Sequence, residues 1–204
     1  MIVDYKAGNV MSVKNMFEKL GFSVLVSSEP ADVLKAKKIV LPGVGKFDFG
    51  MKSLFSLGLV NALSEQVLVN KVPILGICLG AQLFTKGSEE GMQQGLGWFD
   101  IETIRFKPFN GLKTPHMGWN ETHIVLKDSP LFAQEQYLVD PPRFYFVHNY
   151  HFDNVSSKEI LTETFYGYNF VSAFQRDNIF GVQFHPEKSH KFGMALFTNF
   201  MNVK

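Results

Sequence analysis

At 204 residues, with 46% hydrophobic and 19% charged side chains, the chain has material for one ordinary α/β domain and lacks the composition of a disordered tract. Its 20 basic and 19 acidic residues are spread along the chain for a net charge of +1, which argues against the clustered basic surface of a nucleic-acid binder. The longest apolar run, Val72 to Leu79, is broken by Pro73 and Gly76 and is far short of the about 18 residues that span a bilayer; Asp4 stands where a signal peptide would be apolar, so neither a membrane segment nor a targeting segment is expected.

Short apolar runs alternate with amphipathic stretches, the pattern of βα units around a largely parallel sheet. Met1–Val3 is a short first strand. Ser12 to Leu20 carries Val13, Met16, Phe17 and Leu20 at helical spacing and is stopped by Gly21. Ser23–Val26 and Lys38–Leu41 are predicted buried strands, the second running into the turn Pro42-Gly43-Val44-Gly45. Leu54–Val69 is predicted as a helix, Val72–Ile77 as a strand, and a further helix starts near Leu79. The second half is strand-rich: Ile101–Arg105, His123–Leu126, Arg143–Val147, Phe170–Gln175 and Ile179–Phe184, the last two joined as a hairpin by Arg176-Asp177-Asn178. Phe192 to Met201 closes the chain as an amphipathic helix. Pro141-Pro142 marks a loop, not a boundary. The expectation is one three-layer α/β domain over residues 1–204: a largely parallel twisted sheet with added antiparallel strands.

The chemistry centres on the lone cysteine, which excludes an internal disulfide and fits a reducing, cytoplasmic setting. A solitary cysteine is most often a small core residue. Cys78, however, lies where an apolar strand enters a turn, Gly76-Ile-Cys78-Leu-Gly80, and then a helix. This is a nucleophile elbow with sulfur in place of oxygen, whose flanking glycines allow a sharp turn and close backbone approach. Backbone N–H groups and the positive end of the following helix favour the thiolate there.

A thiolate needs a proton shuttle, and the shuttle needs an orienting group. His185 ends an apolar strand, and Glu187 follows beyond Pro186, so its carboxylate can turn back onto the ring nitrogen facing away from the sulfur. Acyl transfer also needs oxyanion donors. The N–H of Leu79 follows from the elbow, and the glycines of the 41–45 loop suit Val44 and Gly45 for the second. One cysteine and scattered histidines give no metal-ligand spacing, and His148, His151 and His190 read as loop or interface residues.

Together these segments resemble the class I glutamine amidotransferases. Over nearly the whole chain the likeness narrows to the HisH type, the glutaminase subunits of imidazole glycerol phosphate synthases. It is carried by Asp4-Tyr5, Gly8-Asn9, Leu-Pro-Gly-Val-Gly (41–45), Gly-Ile-Cys-Leu-Gly (76–80) and Gly-Ser-Glu-Glu-Gly (87–91). It continues through Pro-His-Met-Gly-Trp-Asn (115–120), Tyr-Phe-Val-His-Asn-Tyr (145–150) and Phe-His-Pro-Glu-Lys-Ser (184–189). The chain departs from the type at Asn149, at Tyr5-Lys6-Ala7 and in the lead-in 139–143. The resemblance implies that Cys78 attacks the side-chain amide of glutamine, with His185 as acid and base and Glu187 orienting it. It further implies that Gly45, Gln82 and Glu90 hold glutamine, with Glu90 on the α-ammonium group, and that no cofactor is needed. Met117, Trp119, Asn120, Tyr145 and Lys188 would face a HisF-type (β/α)8 cyclase barrel that receives the ammonia for histidine biosynthesis. In the type, activity waits for the partner's nucleotide substrate, and a flip of the peptide around Val44 is the structural suspect. The alternatives are a paralogue supplying ammonia for surface-sugar amination, a small cysteine hydrolase needing no partner, and a catalytically dead binding module; the intact Cys78, His185 and Glu187 argue against the last.

Overall fold

In the computed structural model, which describes residues 1–107, 113–133, 137 and 141–204, the first half of the chain alternates strands with helices. The elements are β1 (Ile2–Val3), α1 (Val10–Lys19), β2 (Val26–Ser27), α2 (Pro30–Val33), β3 (Ile39–Gly43), α3 (Phe47–Ser56), α4 (Leu59–Ser64), β4 (Ile74–Cys78) and α5 (Leu79–Gln82). Then follow β5 (Gly87–Ser88), β6 (Glu102–Arg105), β7 (His116–Glu121), β8 (His123–Ile124), β9 (Arg143–His148), β10 (Tyr150–Asp153), β11 (Ile160–Tyr166), β12 (Tyr168–Arg176), β13 (Ile179–Val182) and the closing helix α6 (His190–Asn202).

Strands β2, β1, β3, β4 and β13 lie side by side in that order, all parallel, and form the centre of the fold. Antiparallel pairing extends the sheet from β13 through β12 and β10 to β6, with β11 also on β12 and β8 on β11. Strands β7 and β9 form a separate antiparallel ribbon.

Because strand side chains alternate, neighbouring residues of the central strands enter opposite layers. Ile2, Val40 and Leu75 pack with Val13 and Phe17 of α1 and Leu196 and Phe197 of α6. Val3, Ile39, Leu41 and Ile74 pack with Met51 and Leu54 of α3 and Leu59 and Leu63 of α4. Three layers result, with β1, β3, β4 and β13 buried on both faces and β2 half-buried at the edge.

Several elements differ from their sequence expectation. The helix predicted over Leu54–Val69 starts earlier, at Phe47, and is divided: Gly58 takes φ +66° just past the end of α3, and its N–H reaches back to the Phe55 carbonyl at 3.0 Å. The chain then re-enters a helix as α4 and finishes in a π-helical turn, Glu65–Val69. The buried strand expected over Ser23–Val26 is reduced to the half-buried pair Val26–Ser27, which registers with the two residues of β1 at the edge of the sheet, and Leu25 is exposed. The expected hairpin forms, with Arg176 opposite Ile179 and Asp177 at φ +50° in the two-residue turn. Residues 139–140 of the lead-in to β9 lie outside the described residues. Among the described residues no helix is long and apolar enough to cross a membrane.

Candidate active site

Cys78 ends β4 at φ +53° and ψ −112°, a strained position for a residue with a side chain and the backbone signature of a nucleophile elbow. The two flanking glycines are required by space. A Cβ on Gly80 would lie 1.8 Å from the Leu41 carbonyl oxygen, and one on Gly76 would lie 2.5 Å from the Phe84 ring. The helix behind the sulfur, α5, has only four residues, so a full helix dipole does not stand there as the sequence suggested.

The parallel pairing of β4 with β13 brings the end of β13 beside the elbow. His185 follows it, 1% exposed, and its Nδ1 faces Glu187 Oε1 at 2.8 Å. The Glu187 side chain is itself 2% exposed. Nδ1 therefore carries the proton it gives to the carboxylate, and Nε2, which makes no bond of regular geometry, is left to exchange a proton with the nearby sulfur. Burial works against a charged ring, but the close charge and hydrogen-bonding contact of Cys78, reinforced by Glu187, outweigh it and push the His185 pKa up to about 10.

The backbone of His185 is clamped from two sides. Its N–H donates to the Tyr145 carbonyl at 2.8 Å, and its carbonyl accepts from the Ser189 hydroxyl at 2.6 Å. The same Ser189 oxygen accepts the Tyr145 N–H at 3.0 Å, so a fully buried hydroxyl ties β9 to the histidine.

The residues expected to hold glutamine gather around this centre. Gln82 is buried and donates to Gln183 Oε1 at 3.0 Å, and Gln183 in turn points its amide at Cys78 Sγ, 3.6 Å away. Glu90 Oε2 accepts the N–H of Phe47 at 2.8 Å, capping α3 two residues beyond Gly45. Gly45 takes φ +108° with open space around the missing Cβ, so its backbone conformation is what requires glycine. The expected oxyanion donors divide. Leu79 opens α5 directly after the cysteine, whereas Val44 donates its N–H to the Ala7 carbonyl at 3.0 Å and is turned away from the site.

The residues expected to face a partner lie on the β7–β9 ribbon and the turn after His185. Met117 and Trp119 are 62% and 48% exposed; the indole stacks on the His190 ring at 5.2 Å, and Lys188 Nζ sits 5.4 Å over the Tyr145 ring. Asn120 is on the other face of β7, where its Nδ2 donates to the Phe165 carbonyl at 2.9 Å and lies 3.2 Å from His116 Nε2. His148 and His151 are not the loop or interface residues that the sequence suggested: they lie in β9 and β10 and are buried, with His116, among the rings of Phe106, Phe170 and Tyr168. One tautomer assignment satisfies the chain: Asn120 donates to His116 Nε2, His116 Nδ1 donates to His148 Nε2 at 3.0 Å, and His148 Nδ1 donates to the Tyr150 carbonyl at 2.7 Å. Burial keeps these rings neutral, lowering the pKa of His116 to about 4 and holding His148 and His151 below the usual value as well.

Sequence reasoning missed Gln183, Ser189 and the second role of Tyr145. Gln183 left a signal, a polar residue inside the apolar stretch Ile179–Phe184, since a buried polar group is what carries information in such a run. Ser189 left none beyond the motif around it. Asn149, where the chain departs from the HisH type, is exposed.

A family model described as glutamine amidotransferase class-I matches residues 1–203. The chain is 48% identical over 200 residues to the imidazole glycerol phosphate synthase subunit HisH 2 of Methanococcus maripaludis, covering 98% of this chain and 97% of that one. It is 44% identical over 203 residues to the HisH 2 subunit of Pseudomonas aeruginosa, covering 100% and 98%. With the HisH 1 subunit of Campylobacter jejuni it shares 47% identity over 205 residues, covering 99% and 98%. Among solved structures, one described as a glutamine amidotransferase superposes with a TM-score of 0.76 at 16% identity, over 98% of this chain and 97% of that one. The glutaminase domain of a Trypanosoma brucei CTPS superposes at 0.69 and 18% identity, over 100% and 93%; these two show a shared fold.

Proposed function

The chain belongs to the class-I glutamine amidotransferase family, and from that premise we propose that residues 1–204 form one domain acting as the glutaminase subunit of a cytoplasmic imidazole glycerol phosphate synthase. Its partner is a HisF-type (β/α)8 cyclase, joined as a heterodimer and supplied with ammonia through a channel for the lyase reaction of histidine biosynthesis.

Cys78 sulfur attacks the side-chain amide carbon of glutamine. The resulting oxyanion is met by the Leu79 N–H. As the C–N bond breaks, His185 passes its Nε2 proton to the leaving nitrogen, and ammonia departs from a γ-glutamyl thioester. His185 then takes a proton from water, the hydroxide displaces the sulfur, and glutamate is released with the thiolate restored. Glu187 holds the imidazole in one tautomer throughout. Gly45, Gln82 and Glu90 hold the substrate, and the free Glu90 oxygen faces its α-ammonium group.

The observation that carries this reading is the paired state of the site: the His185–Glu187 couple is assembled at the elbow, while the Val44 N–H is spent on Ala7. A second oxyanion donor appears only when the Gly43–Val44 peptide turns over, which accounts for a chain that waits on its partner. Met117, Trp119, Tyr145 and Lys188 supply the docking face, and Asn120 supports β7 from behind. Tyr145 links that face to His185 through its backbone.

The test is ammonia release from glutamine by the chain alone and with a HisF-type barrel plus its nucleotide substrate. Release is expected only in the mixture and is abolished by Cys78→Ala. Substantial activity of Cys78→Ala would overturn the mechanism, and silence of the mixture with no complex formed would overturn the partner.

A further inference from the structure

Three buried side-chain polar atoms lack a hydrogen-bond partner among the described residues: His185 Nε2, Glu187 Oε2 and the hydroxyl of Tyr5. The first two belong to the catalytic couple. Tyr5 does not, and a buried hydroxyl without a partner is costly enough to need a reason. The ring follows β1 and is 1% exposed, and the residue's carbonyl is held by the Ser53 hydroxyl.

The hydroxyl lies against Gly43, the first residue of the peptide proposed to turn over. A Cβ on Gly43 would come within 2.2 Å of the Tyr5 oxygen and 2.6 Å of the Gly80 nitrogen. Allowing about 1.5 Å for the missing carbon–carbon bond, the hydroxyl lies within about 3.7 Å of the Gly43 Cα. It thus sits beside the Gly43 end of the Gly43–Val44 peptide, on the side where the start of α5 also approaches. A peptide carries N–H and C=O on opposite sides, so turning the Val44 N–H from Ala7 into the site swings the Gly43 carbonyl towards the 5–7 segment. A carbonyl displaced there needs a donor.

We propose that the Tyr5 hydroxyl is that donor: unbonded at rest, it donates to the Gly43 carbonyl in the turned state and holds the oxyanion site open. Tyr5 is a positioning residue acting through Gly43 and Val44. The inference rests on the proposed glutaminase reaction, and it predicts an unusual combination. Tyr5→Phe removes a group that has no partner at rest, so it leaves folding intact, yet it weakens the state in which chemistry occurs.

Wild-type and Tyr5→Phe chains are compared in two ways: melting of the isolated chains, and steady-state ammonia release in complex with the barrel and its nucleotide. For Tyr5→Phe the melting temperature is expected to be equal or higher. The KM for glutamine stays within about twofold, and kcat falls about tenfold, the worth of one hydrogen bond made only in the active state. Wild-type kcat in the variant would overturn the proposal. So would a melting temperature lower by more than about 4 °C, because the hydroxyl would then be bonded at rest. A silent wild-type complex would overturn the glutaminase reading and this inference with it, and is told apart from the other two because it involves no variant.

Discussion

Replacing Ser189 by alanine removes a hydroxyl that serves both the fold and the histidine. In the wild type it donates to the His185 carbonyl at 2.6 Å and accepts the Tyr145 N–H at 3.0 Å in a fully buried position. Losing one such bond costs about 1 kcal/mol, and leaving the Tyr145 N–H without an acceptor adds about 1–3 kcal/mol. The sum, about 2–4 kcal/mol, is less than the about 5–15 kcal/mol that stabilises an ordinary domain, so the variant still folds. With an m-value of about 2 kcal/mol/M, the urea midpoint should fall by about 1–2 M. The same loss leaves the His185 backbone held to β9 only by its own N–H on the Tyr145 carbonyl, and a shift of a fraction of an ångström in a proton shuttle lowers kcat by at least about tenfold. Ser189→Thr, which keeps the hydroxyl, should restore most of both quantities. A midpoint displaced by less than about 0.3 M, or a threonine variant as damaged as alanine, would refute the clamp.

Two further outcomes follow from the buried histidines and the exposed ribbon. Above pH 6.5 His116 is neutral whether the chain is folded or not, so its contribution to stability is fully present. Between pH 6.5 and about 4 only the unfolded chain takes up the proton, and stability is lost by about 3 kcal/mol at full extent, with His148 and His151 acting in the same direction. Urea midpoints at pH 7.5, 6 and 5 should therefore decline less steeply for His116→Gln than for wild type, and equal slopes would contradict the assignment. Trp119→Ala should leave the isolated chain within about 0.5 kcal/mol of wild type while raising the Kd for the barrel at least about 30-fold by calorimetry; an unchanged Kd would remove Trp119 from the interface.

The parts of the molecule governed by local rules were legible in the sequence. Gly76 and Gly80 announced the elbow because no side chain fits beside Phe84 or the Leu41 carbonyl, and His185-Pro-Glu187 announced its pairing because the proline leaves the carboxylate little else to reach. The strand β7 was illegible for the opposite reason. Its burial is inverted, with His116 inside and Met117 and Trp119 outside, so a search for apolar residues facing a core finds no strand there. That inversion leaves Met117 and Trp119 exposed, as the proposed docking face requires. The histidine chain was hidden because the bond that joins its rings crosses between strands, His148 lying 32 positions from His116. The division of the helix expected over 54–69 turned on one dihedral angle, that of Gly58, which spacing does not reveal.

The bond from Val44 to Ala7 has a consequence for the economy of the cell. Glutamine is a shared nitrogen currency, and a free-running glutaminase would drain it. On the proposed reading the idle state is written into the backbone, and ammonia output would scale with the number of assembled complexes and not with the number of glutaminase chains. Two such subunits could then be made in unequal amounts, because surplus chains would consume nothing.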